Sequence, residues 1–117
     1  MCTLKVNAFQ NTSGQGWYPA RSWCMVTQAG TMTLQDSEGV SSISDEGTGK
    51  TQVNMSYAQS NAYYCVSTYV ATLGGSGNQH QTAITRDDPP TTSNYNLQCL
   101  DNTFNADDGW VGASIFS

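Results

Sequence analysis

Apolar residues in this chain recur at every second position, and no window sustains a helical i, i+3, i+4, i+7 stripe over three turns. That period belongs to strands with one face on a core and the other outside. In the segment from Thr3 to Phe9, Leu4, Val6 and Ala8 alternate with Thr3, Lys5 and Asn7. Ser22 to Thr27 reads as a strand, as does Thr31 to Gln35 with Met32 and Leu34 on one face. Val40 to Ser44 and Lys50 to Ser56 flank a Gly-rich turn, with Val53 and Met55 sharing a face. Asn61 to Thr72 is the longest strand signal, setting Tyr63, Cys65 and Ser67 against Tyr64, Val66 and Thr68. His80 to Thr85, Tyr95 to Leu100 and Trp110 to Phe116 complete the set. Seven to nine short strands separated by close turn signals predict an all-β antiparallel sandwich. No repeat or linker divides the chain, so residues 1–117 form one expected domain, with residues 73–92 as a variable loop region.

Composition supports strands and narrows the partners. Of 117 residues, 45 are Ser, Thr, Asn or Gln, and only 11% are charged, against about 25% in an average soluble domain. Four Lys and Arg against nine Asp and Glu give a net charge of -5, too few cations to neutralise many phosphates. Nucleic acid is therefore not an expected partner. No apolar run approaches the roughly 18 residues of a membrane span. The Met1 to Val6 segment has neither the basic nor the apolar region of an export signal. The cysteines at 2, 24, 65 and 99 fit no metal-ligand spacing. Free thiols in a reducing compartment are expected, with Cys24 and Cys65 buried in apolar runs.

Three strings suggest chemistry. Gly47-Thr48-Gly49-Lys50-Thr51 resembles the end of a phosphate-binding loop, but Ser44 stands where the motif needs its first Gly. Such a loop must also open a helix, and Gln52 to Met55 alternates as a strand. A hairpin turn that binds no nucleotide is expected. His80 is the single histidine, beside a Gly-rich loop, and no nucleophile elbow accompanies it. The acidic pairs Asp45-Glu46, Asp87-Asp88 and Asp107-Asp108 lack the spacing of a calcium loop and read as solvated turn acids. No cofactor, metal site or catalytic set is expected, with a small hydrolase the remotest of the readings. Tyrosines are the better lead: alternation must send some of them outward. Tyr57, Tyr64, Tyr69 and His80 are the candidate contact residues.

One stretch resembles a known family. Trp23-Cys24-Met25-Val26, Gly30-Thr31, Asp36-Ser37, Gly39 to Gly49 (GVSSISDEGTG), Gln52 to Met55 and Asn61-Ala62-Tyr63 are similar to a small β domain of tailed-bacteriophage virion proteins. Trp110 to Phe116 resembles that family's closing strand. Glu38-Gly39 replaces a frequent aromatic and Asn, Met55 replaces Phe, and Gln59-Ser60 departs from the family pattern. The resemblance implies a non-enzymatic virion component, assembled in the host cytoplasm. Two placements stay open: a tail fibre or baseplate facing the host receptor, and a capsid decoration protein. It further implies a homotrimer or other homo-oligomer, contacts with other virion proteins, and a host glycan or protein as a possible outer partner. The family-like portion starts after Thr3 to Phe9, which makes Leu4, Val6 and Phe9 the candidate attachment strand.

Overall fold

The structure, a computed structural model, describes residues 3, 5, 9–17, 19–71, 81–84 and 89–117. Among these described residues run ten strands: β1 (Phe9–Gln10), β2 (Gly16–Trp17), β3 (Ser22–Thr27), β4 (Thr33–Glu38), β5 (Val40–Asp45), β6 (Lys50–Met55), β7 (Cys65–Ala71), β8 (Gln81–Ile84), β9 (Asn94–Leu100) and β10 (Trp110–Phe116). No helix occurs among the described residues. Two four-stranded antiparallel sheets, ordered β4-β3-β10-β7 and β5-β6-β9-β8, form the sandwich, and β1 pairs with β2 apart from them. The all-β sandwich expected from the alternation is the observed fold.

The first and last strands of the sandwich, β3 and β10, are central neighbours, in register from Thr27 opposite Trp110 to Ser22 opposite Ile115. Alternation turns Cys24 and Val26 of β3 inward, with Val111, Ala113 and Ile115 of β10. They meet Val53 and Met55 of β6 and Tyr95, Leu97 and Cys99 of β9. Among the described residues Tyr95 is the largest side chain buried completely, and its hydroxyl lies 3.8 Å from the Cys24 sulfur. Burial pushes the Cys24 and Tyr95 protons on more tightly. Cys99 is pushed up to about 11 by burial, with Asp107 and Asp108 adding to the effect.

Gln28, at the end of β3, is buried, with both its side-chain nitrogen and oxygen hydrogen-bonded. Its Nε2 donates to Thr51 Oγ1 of β6 at 3.0 Å, and its Oε1 accepts from the Gly109 N–H at 3.1 Å. Its backbone N–H donates to Gly109 O at 3.0 Å. The Thr51 hydroxyl then donates to Met32 Sδ at 3.3 Å. A buried amide is tolerated when its polar atoms are paired in this way.

Several strand limits differ from expectation. The Asn61 side chain accepts from the Tyr63 N–H at 2.8 Å, which turns the chain, so β7 begins only at Cys65. Cys65 then faces outward and is exposed, a correction to its expected burial; Cys24, Cys65 and Cys99 are free thiols. β4 runs through the polar residues Asp36 to Glu38, beyond the expected end at Gln35. Leu4, Val6, His80, Cys2 and the pair Asp87-Asp88 lie outside the described residues, as do residues 73–80 and 85–88 of the variable loop.

Two five-residue loops are built alike. In each, the first side chain (Asn11 or Asp101) accepts from the N–H groups two and four residues on. The fourth residue has positive φ: Gly14 at 80° and Phe104 at 66°. Phe104 is thus an exposed aromatic held in a conformation usually left to glycine.

The turn between β5 and β6 leads Lys50 into a strand, as expected for a hairpin. Asp45 accepts from the Gly47 N–H, but the constrained glycine is Gly49. Its φ is +69°, and an added Cβ would lie 2.6 Å from both Asp107 O and Cys99 O. Its N–H donates to Asp108 Oδ1 at 2.8 Å and its carbonyl accepts from the Cys99 N–H at 2.7 Å. Asp107 and Asp108 are therefore half-buried loop fasteners, where solvated acids were expected. Gly49→Ala should cost about 2–4 kcal/mol, from a strained φ plus backbone overlap. Gly47→Ala, at φ +119° with open space around it, should cost about 1 kcal/mol. Urea-unfolding midpoints of the two variants check the order.

Candidate contact face

Every second residue of the sheet β4-β3-β10-β7 points away from the core. On β3 these are Trp23, Met25 and Thr27; on β10, Trp110, Gly112, Ser114 and Phe116; on β7, Cys65, Ser67, Tyr69 and Ala71. Trp110 keeps 46% and Tyr69 52% of its surface exposed, although both sit on regular strands. Gly112 lies between Met25 on one neighbouring strand and Tyr69 on the other. With no side chain there, Met25 lies across it: an added Cβ would come 2.6 Å from Met25 Sδ. A flexible thioether is well suited to fill such a gap.

Two shallow depressions flank Met25. One, of about 230 Å³, lies along Trp23, Tyr69 and Ser114. The other, of about 300 Å³, is lined by Met25, Val26, Thr27, Gln35, Asp36 and Trp110. A β-bulge shapes the second. Met25 pairs with Asp36 and Val26 pairs with Leu34, so Gln35 is the extra residue on β4. The bulge sets Gln35 and Asp36 side by side on the outer surface, where regular alternation would oppose them. Gln35 Nε2 donates to Thr27 Oγ1 at 3.0 Å, which fixes the amide there. Asp36 accepts from its neighbour, the Ser37 N–H, at 2.9 Å through one oxygen.

Of the four residues expected to form a contact set, the three described ones, Tyr57, Tyr64 and Tyr69, do not come together. Tyr69 lies on this face. Tyr57 is exposed at a different place, beside Arg21, Gln59 and Ser117 in a depression of about 390 Å³. Tyr64 is buried at 8% exposure; its hydroxyl donates to the carbonyls of Thr91 (2.7 Å) and Asn94 (3.0 Å), and its ring meets Tyr95 edge-on at 6.4 Å. It is a core brace rather than a contact residue. His80 lies outside the described residues. Of the proposed attachment strand, the described part is Phe9, whose backbone pairs with Trp17. Trp23, Met25 and Trp110 escaped sequence reasoning, although the outward parity of their strands carried the signal.

Among the described residues, no three His, Cys, Asp or Glu side chains assemble into a group able to hold a metal ion. The face offers flat rings, a thioether, hydroxyls, an amide and a carboxylate. That inventory suits recognition by surface contact. Comparison of the chain with protein-family models, curated proteins and solved structures returned no match.

Tyr64→Phe should cost about 1 kcal/mol, since the hydroxyl proton shared by the part-buried Thr91 and Asn94 carbonyls is lost. Tyr57→Phe should stay within about 0.5 kcal/mol. Thermal or urea unfolding of the pair separates the brace from the exposed ring.

Proposed function

We propose that this chain is a non-enzymatic contact module of a tailed-bacteriophage virion, placed in the tail fibre or baseplate, and that the outer face of β4-β3-β10-β7 is its working surface. The observation that carries the contact reading is the aromatic row of exposed Tyr69 and Trp110 and half-buried Trp23 around Met25 and Gly112. Aromatic and Met side chains are enriched in the cores of protein interfaces, and this row is backed by a rigid sheet.

The virion placement rests on the resemblance of Trp23 to Tyr64. Two details show how the fold uses that stretch. The GVSSISDEGTG string begins at the Gly39 corner, then forms β5 and its turn, and its last glycine is wedged against the loop before β10. Gly39 itself has φ +69°, a conformation that glycine and asparagine share, and the family pattern has Asn there. Self-association of the module and contact with other virion proteins belong to the same proposal, because a small β domain gains buried surface by assembling.

Quantitative mass spectrometry of purified particles whose genome encodes the chain tests this reading. A few to a few dozen copies per particle are expected. Trp110→Ala should reduce incorporation or host adsorption while the chain stays folded. Absence from particles contradicts the proposal, and hundreds of copies would move the chain to the capsid.

A further inference from the structure

We infer that the depression between β3, β4 and β10 takes an arginine guanidinium from a protein partner. The inference rests on the reading of this face as the working contact surface and names what one part of it recognises. Four features of the depression agree. Trp110 supplies an aromatic wall on one side, and Met25 an apolar one. A cation over an indole face is attracted by the ring quadrupole, and a planar guanidinium also stacks on it. The bulge brings two acceptors to the same place: the Asp36 carboxylate, with one oxygen committed only to its neighbour's N–H, and the Gln35 carbonyl oxygen, whose amide nitrogen is held by Thr27. None of the six lining residues is cationic.

The pair of acceptors separates candidate cations. A quaternary ammonium has no N–H to give them. A lysine ammonium donates but does not stack as a plane. A guanidinium does both, with five donors in a fixed fork. Charge favours the same occupant: the chain carries a net charge of -5, and Glu38 lies on the same strand opposite Trp23. A polypeptide source follows from position. Among the described residues β4 pairs only with β3, so among those residues its far side is an open edge along which a partner segment can lie.

The test uses the ¹⁵N-labelled chain titrated at constant ionic strength with N-acetyl-arginine amide, N-acetyl-lysine amide, tetramethylammonium and methyl glucoside. Saturable shifts are expected for the Met25, Gln35 and Asp36 amides and the Trp110 indole with the arginine probe. Asp36→Asn should weaken that binding about three- to fivefold, as for one partly exposed ion pair. Glu46→Gln makes the same charge change in the β5–β6 turn and should leave binding unchanged. The inference is overturned if lysine amide, tetramethylammonium or the glucoside shifts the same residues as strongly, or if Asp36→Asn binds as wild type does. Particles carrying Trp110→Ala keep the two readings apart. If arginine binding is absent in solution yet Trp110→Ala still impairs the particle, the guanidinium assignment fails and the contact face stands.

Discussion

Gln28 is the residue on which the rest of the sandwich depends. It sits where β3 ends, and its hydrogen bonds reach the start of β10 and the middle of the opposing sheet at once. β3 and β10 lie at opposite ends of the sandwich sequence, so pairing them closes a long loop at an entropic cost. Apolar packing rewards that closure without direction. The Gln28 amide gives it register: Gly109 must stand opposite Gln28, which sets Trp110 opposite Thr27 and Gly112 opposite Met25. A buried amide whose nitrogen and oxygen are both paired contributes specificity as well as stability.

The contact face follows from this register. One residue past the Gly109 anchor, Trp110 emerges on the outer surface beside Thr27. Two residues further, Gly112 leaves the gap that Met25 covers. The bulge at Gln35 then brings an amide and a carboxylate to the rim. The apolar alternation that builds the core therefore also fixes which aromatics remain outside. The same closure is reinforced at the other sheet, where Asp108 holds Gly49 and Gly49 holds Cys99.

Much of this was legible in the sequence, for a physical reason. Ser22–Thr27 and Trp110–Phe116 were readable to the residue because a half-buried strand must alternate. The polar end of β4 was hidden, since an edge strand buries little and Asp36 to Glu38 carry no apolar signal. The Asn61 turn was hidden because Tyr63 and Tyr64 continue the strand composition after the backbone has turned. The acidic pair at Asp107-Asp108 resembled any solvated turn; its role depends on Gly49, far away in sequence. Tyr64 could be assigned a face by alternation only if it lay in a strand, and it does not. The contact face was half legible: parity already turns Trp23, Met25 and Trp110 outward. The bulge that completes it leaves no mark in composition.

The central claim is that Gln28 sets the β3–β10 register and through it the outer face. Native-state amide hydrogen exchange on Gln28→Leu, compared with the wild-type chain, tests it most directly. Leucine keeps the bulk and removes the amide, so the chain should stay folded. The account predicts that protection falls first and most at Gly109 and Val111 and at Val26 and Gln28 on the facing strand, with β5 and β6 far less affected. An even loss across both sheets, or unchanged exchange at Gly109 and Val111, would contradict it.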